Sequence, residues 1–516
     1  MRKNLLALSI AAMVGGLSGA ANAAVFVNTI GAAANGLPAI SAAAPAANTL
    51  RPTTSGIGHV LVVPYFSTQE ANKTLLSITN TDQVNGKAVK LRFRGAANSD
   101  DVFDISIFLS PGDVWSADVG SDDGVISRLS TTDTSCTLPS IQDIKDLGGK
   151  FKLNRVQGED PKQTREGYVE ILNMADVPPG TGAGGANSEL YTAIKHVAGK
   201  APCTSGVMDK QEVELVAIAG DKNSPVARGY SWPTGGLSAN WILVNTTTMA
   251  SFSGEAVALR AVPVNASGAA LIDGAGSGNI VWFPQTSQAA SASASALTAD
   301  PLLNSPGFTS QVANYDFPDL STPYFNVGGV AVTPAAQADD LADALATKSV
   351  VNDFMTINGF GTDWVFSMPT RRYAVALNYA ATGAARIMFR NGVGNGYFNA
   401  ANTGLNKDAS QACVTPGGQR AYDREESTRS TFVISPDVGL SFCGETSVLA
   451  FNNAGKGSVL GAKIARKDIN TTYGEGWFNI NTVTTATPNG LPIVGFAAAK
   501  STGINLGGTW RHRTSH

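Results

Sequence analysis

The chain has 516 residues, 43% of them hydrophobic, which is enough for two or three domains with cores of their own. Charged residues make up only 15% and the formal net charge is −3, whereas an ordinary soluble protein has about 25% charged residues. So weak a field gathers no polyanion, which excludes nucleic acid and anionic membranes as partners and leaves uncharged polar groups to cover the surface.

Residues 1–23 read as a secretory signal peptide. Arg2 and Lys3 precede an apolar run from Leu5 to Leu17, and small residues end in Ala21-Asn22-Ala23. The run is broken by Gly15, Gly16 and Ser18 and falls short of the roughly 20 apolar residues that span a bilayer. No transmembrane span is therefore expected after cleavage, and Ala24 offers no thiol for a lipid anchor. The mature protein is expected to be exported, to the cell surface and outer envelope or to the periplasm. Residues 24–57, rich in Ala, Gly, Asn and Pro without a period, read as a flexible N-terminal segment.

Residues 58–285 read as a first β-sandwich region with helical insertions. Leu61 to Phe66 and Thr74 to Thr79 are predicted strands, and Asn85-Gly86 is a turn signal. Beyond it Val89, Leu91 and Phe93 alternate with Lys90, Arg92 and Arg94, which predicts one buried face and one wet face. Phe103, Ile105, Ile107 and Leu109 alternate in the same way before the turn Ser110-Pro111-Gly112-Asp113. Helical character is confined to 138–147, 190–197 and, later, 334–348. The phrase from Leu76 to Arg92 returns between Trp241 and Arg260, which predicts two copies of one hairpin, with a fainter echo from Leu449 to Leu460.

Residues 286–304, nearly all Ser and Ala at their start, read as a low-complexity linker, and 305–516 as a second β-rich region. Short strands close together with tight turns make the expected fold class mainly β, with antiparallel, immunoglobulin-like β-sandwich modules. Four cysteines lie two in each half. In an oxidising compartment that spacing favours Cys136 with Cys203 and Cys413 with Cys443, and no C-x2-C pair supports a metal-thiolate site.

No HExxH, GxSxG or P-loop pattern occurs, so no catalytic or cofactor-binding residue is assigned and no enzyme is expected. His59 and His196 read as packing or surface residues, and His512 and His516 as part of a terminal tail or partner contact. The weak metal candidates are loop carboxylates of the type that Ca²⁺ takes: Asp100, Asp101 and Asp104 in one cluster, Asp118, Asp122 and Asp123 in another. Neither follows the alternating calcium-loop spacing, and Asx-rich turns form without metal. Of the seven tryptophans, Trp115, Trp241, Trp282 and Trp364 fall in or beside apolar strands and are expected in cores rather than on a sugar-stacking platform.

Gly58-His59-Val60-Leu61-Val62-Val63-Pro64-Tyr65-Phe66, Leu75 to Thr81, Leu109 to Trp115, Asp363-Trp364-Val365-Phe366 through Tyr373, and Gly490 to Gly495 resemble exported cell-surface or surface-layer proteins of Gram-negative, betaproteobacterial-type bacteria. The resemblance implies a place and a lattice rather than a reaction. The expected function is a non-enzymatic structural protein that associates with itself or with other envelope components. Two alternatives come from other classes: a periplasmic or secreted carbohydrate-binding protein or hydrolase, and an outer-membrane β-barrel.

Overall fold

The computed structural model describes residues 49–516 apart from 154–155, 181–187, 212–213, 215–227, 232, 263–333, 426–427, 430–438, 452–456, 471–472, 502 and 504. The expected signal peptide, most of the segment 24–57, the linker 286–304, Trp232 and Trp282 lie outside the described residues. What is described is mainly β, in sheets that are antiparallel with one parallel pair and packed face to face.

The first region holds β1 (Thr49–Pro52), β2 (Val60–Ser67), β3 (Asn72–Asn80), β4 (Gly86–Gly95), β5 (Asp101–Leu109) and β6 (Val114–Gly120), followed by β7 (Arg128–Ser130), β8 (Cys136–Leu138), β9 (Glu166–Val177), β10 (Leu237–Asn245), β11 (Ser251–Glu255) and β12 (Val257–Val262). A seven-stranded sheet of order β1-β12-β2-β9-β4-β5-β8 faces a five-stranded sheet of order β11-β10-β3-β6-β7. Val89, Leu91 and Phe93 of β4 and Ile105 and Ile107 of β5 share one core with Leu76 and Ile78 of β3, Trp115 and Trp241. These are the apolar positions of the period-two pattern, as pleat geometry requires.

The two repeated phrases are not copies of one hairpin. The second begins as a hairpin, β10 turning back on β11 with Trp241 opposite Gly254, and only then crosses to β12 in the seven-stranded sheet, whereas in the first β3 crosses directly to β4. The turn before β4 is not a tight Asn-Gly turn, because Asp82 accepts the N–H groups of Val84 and Asn85 and opens the loop enough to change sheets. β3 and β10 then pair antiparallel, with Leu76 opposite Trp241. Around that pair and the β2–β9 pair, the order β12-β2-β9-β4 over β11-β10-β3-β6 reads alike from both ends. The repeat is thus an approximate two-fold within one sandwich. β1 is a further difference, since it lies in the segment read as flexible yet pairs with β12 over four residues.

In the second region the two large sheets hold β13 (Ser349–Met355), β14 (Phe360–Ser367), β15 (Gly418–Tyr422), β16 (Thr428–Arg429) and β17 (Thr446–Phe451), then β18 (Arg466–Ile469), β19 (Glu475–Asn481), β20 (Val494–Ser501), β21 (Leu506–Arg511) and β22 (Arg513–Ser515). Their orders are β16-β15-β19-β13-β22 and β18-β17-β14-β20-β21. Trp364, Phe366, Leu449 and Phe451 on one sheet meet Val350, Phe354, Phe478 and Ile480 on the other.

The central strands of the sheet built on β14 are buried on both faces. Trp364, Phe366, Leu449 and Ala497 belong to the second core, while their strand neighbours Val365, Val448, Phe496 and Ala498 belong to the first. Phe496 reaches the Trp241 ring at a centroid distance of 4.7 Å. An uninterrupted apolar run such as Trp364-Val365-Phe366 is what a strand with two dry faces needs. Among the described residues α-helix is confined to insertions: α1 (Ile141–Asp146), started by a Ser140–Asp143 capping box, α2 (Glu189–Ile194), α3 (Ser205–Met208) and α4 (Pro334–Leu345). α4 lays Ala338, Leu341 and Leu345 against Leu50, Val60 and Val62 of the seven-stranded sheet.

Candidate functional site

The densest chemistry in the described chain lies where the seven-stranded sheet turns its second face to the other sandwich. That face was expected to be wet, but Lys90, Arg92 and Arg94 are all buried. Period-two alternation places these side chains opposite the core, and the second region then covers them. Lys90 Nζ lies 2.7 Å from Asp104, and Arg92 Nε lies 3.5 Å from Asp101. Glu170, opposite Arg92 in β9, takes Arg94 Nε at 3.3 Å and Arg372 Nη2 of the other sandwich at 2.9 Å. Arg372 also donates to Tyr168 and to the Pro369 carbonyl, and it stacks over the Tyr373 ring at 4.3 Å. Its neighbour Arg371 pairs with Glu445 at 2.6 Å.

Burial would raise the Glu170 carboxyl, but Arg372, Arg94 and Arg92 outweigh it and hold the group below its ordinary value. Glu445 is less compensated, and burial raises it despite Arg371 and Arg372. Beside it, Gly444 adopts φ +84° and approaches Ala96 so closely that a Cβ would stand 2.4 Å from that carbonyl. The backbones are therefore joined here as well: Glu445 N–H donates to Ala96 O at 2.8 Å.

A second junction is a strap at 458–465. Asp363 of β14 accepts the Ser458 hydroxyl and, at 3.0 Å, the Leu460 N–H, while Leu460 O accepts from Asn72 of β3 at 2.7 Å. Further along, three successive N–H groups, from Lys463, Ile464 and Ala465, converge on the Glu166 carboxylate at 2.7, 3.0 and 3.2 Å. Such a run of amides forms an anion nest, and here the anion is a side chain of the other sandwich. Burial raises Glu166 against those donors and pushes Asp363 up to about 6. These groups neutralise, position and lock; the arrangement is that of a joint.

The calcium candidates are distributed among protein partners. Asp104 and Asp101 face Lys90 and Arg92, and Asp100 accepts from the Tyr379 hydroxyl at 2.8 Å. Asp118 pairs with Lys73 at 3.2 Å and Asp122 with Arg128 at 3.0 Å. Asp123 accepts from Val125 and Ile126 N–H, which holds its carboxyl down at about 2. Among the described residues no group of three or more His, Cys, Asp or Glu side chains is arranged to hold a metal ion.

Both cysteine pairs form as expected, Cys136–Cys203 and Cys413–Cys443, and they belong to an oxidising, extracytoplasmic environment. The first ties β8 to the segment between α2 and α3, and the second joins residues paired across two short strands. No helix of the described residues is long and apolar enough to cross a membrane.

His512 departs from the tail reading. It is the corner between β21 and β22, which lie in different sheets of the second sandwich, and its ring inserts between them. Nε2 donates to Val365 O at 3.0 Å, Nδ1 accepts from Asn352 at 3.1 Å, and the ring stacks on Phe366 at 4.8 Å. Trp115, Trp241 and Trp364 are buried as expected, whereas Trp477 and Trp510 are each 37% exposed. Of the seam, Lys90, Arg92 and Arg94 read as a wet face and Asp101 and Asp104 as calcium candidates, while Glu166, Glu170, Arg371, Arg372 and Glu445 were not singled out in the sequence. The available signal was a scarcity argument: with so few charges in the chain, three cations on one strand need anions, and Glu166 and Glu170 stand on β9. No protein family, curated protein or solved structure matches the chain.

Proposed function

We propose that the protein is an exported structural component of the Gram-negative cell surface that associates with itself into a layer or comparable assembly. The observation that carries this reading is the seam. A core shared between two sandwiches, with buried charges neutralised across the joint, makes one stiff block, and a building element must transmit load without hinging. The disulfides and a surface poor in charge suit packing against other protein outside the cytoplasm. Electron microscopy of intact cells, with and without the gene, tests it. A regular array lost on deletion is expected; a monodisperse monomer confined to the periplasm overturns the reading.

A second reading, an exported carbohydrate-binding protein or hydrolase, is favoured by one feature. Tyr422 and Trp477 stack at 3.8 Å and 7° on the outermost sheet, with the Trp477 ring partly in solvent. Flat aromatic surface of that kind suits a sugar ring. Retention on polysaccharide that is lost in Trp477→Ala would support it over the first.

A further inference from the structure

Beside β5 of the first sandwich lies a pocket that is open to solvent on one side. Between β5, α1 and residues 149–153 lies a cavity of about 270 Å³ walled by Phe103, Ile105, Ile126, Ile144, Leu147 and Phe151. Its aromatic wall is well ordered: the Phe103 and Phe151 rings stack at 5.1 Å and 19°, and Phe151 packs on Phe93 at 5.1 Å. An engineered cavity of about 150 Å³ with similar Leu, Ile and Phe walls stays dry and admits benzene, so this one has room for a larger apolar guest.

Water is a poor occupant because the backbone polar groups around the space are already paired. Gly149 N–H donates to Ile144 O at 2.8 Å, and Gly149 O accepts from Leu129 N–H at 2.9 Å. Phe151 N–H and Lys152 N–H donate to Ser127 O and Val102 O at 2.9 and 2.7 Å. A buried water needs two to four polar partners, and this wall has few to offer. Lys150 and Lys152 complete the lining, and neither makes an ion pair among the described residues. Their methylene stems extend the apolar wall while their ammonium groups stay near water.

Apolar walls beside two unpaired cations define an amphiphile with one chain and one negative charge. We propose that this cavity binds a medium-chain fatty acid, its acyl tail between Phe103, Ile144 and Phe151 and its carboxylate at Lys150 and Lys152. The volume exceeds the roughly 150 Å³ that admits benzene, which suits a single acyl chain of medium length. The site owes nothing to the assembly reading and stands whether or not the protein forms a layer.

Calorimetric titration of the mature protein with decanoate and with decanol tests it. Decanoate is expected to saturate one site and to bind at least tenfold tighter than decanol. In Lys150→Glu/Lys152→Glu that preference is expected to vanish while decanol binding stays. Ile144→Trp, or Ile126→Phe should the first variant not fold, fills the space and is expected to abolish binding of both. Absence of saturable binding by the wild type, equal affinity for the two ligands, or unchanged binding in a folded filled variant each overturns the proposal.

Discussion

Glu170 is the residue on which the two sandwiches converge, because it is a buried carboxylate with the guanidiniums of Arg92, Arg94 and Arg372 around it. A buried ion cluster adds little over a well-packed apolar one, but removing one member leaves the others unpaired, at about 3–5 kcal/mol. Glu170→Gln keeps the shape and deletes the charge on which three cations depend. It is expected to lower unfolding stability by about that amount, read from the denaturant midpoint at unchanged m-value. A loss below about 1 kcal/mol would mean that water reaches the cluster. The sequence displayed these residues without their meaning. Period-two alternation in β4 told that its two faces differ, and the hydrophobic side was legible, but what covers the other face is contributed by Arg371 and Arg372, 279 and 280 positions beyond Arg92, and by Glu445, 353 beyond it. No local pattern encodes a partner at that separation.

At the scale of elements, the terminal strands β21 and β22 were missed because one carries two glycines near its start and the other is short and polar, and edge strands need no apolar period. They are nonetheless fixed, by the His512 corner between them. Burial pushes the His512 ring down to about 4, against about 6.5 in an unfolded chain. As pH falls, the unfolded state therefore binds the proton first. The contribution of this residue is complete above about 6.5 and is lost progressively as pH falls from there to about 4. Between pH 7 and pH 4.5 the wild type is expected to lose about 2 kcal/mol more stability than His512→Gln, measured by chemical denaturation at the two pH values. Parallel losses would show that the ring is hydrated rather than inserted. Other elements were legible for the opposite reason: β5 announces itself by alternation and β14 by an unbroken apolar run, and α1 falls inside the helical stretch expected over 138–147.

For the whole molecule, what matters is that the central strands of the sheet built on β14 have no wet face. A sandwich standing alone would expose Val365, Val448, Phe496 and Ala498 on one side of the joint, and Arg92, Arg94 and Glu170 on the other. The apolar surface is not compatible with an isolated soluble domain, since a large exposed apolar patch carries a heavy cost; the charged one would be solvated, and it is buried only where Arg372 and its neighbours complete the pairing. The two regions should therefore unfold as one cooperative unit, although a chain of this length ordinarily divides into domains that melt separately. Calorimetry is expected to show a single transition whose calorimetric and van't Hoff enthalpies agree. A protease site placed near residue 295 sharpens the test, because cutting there after folding removes the covalent connection and leaves the joint intact. The two pieces are expected to co-elute and to melt together; separation into two folded species, or two resolved transitions before cutting, would show that the seam is a contact between independent domains.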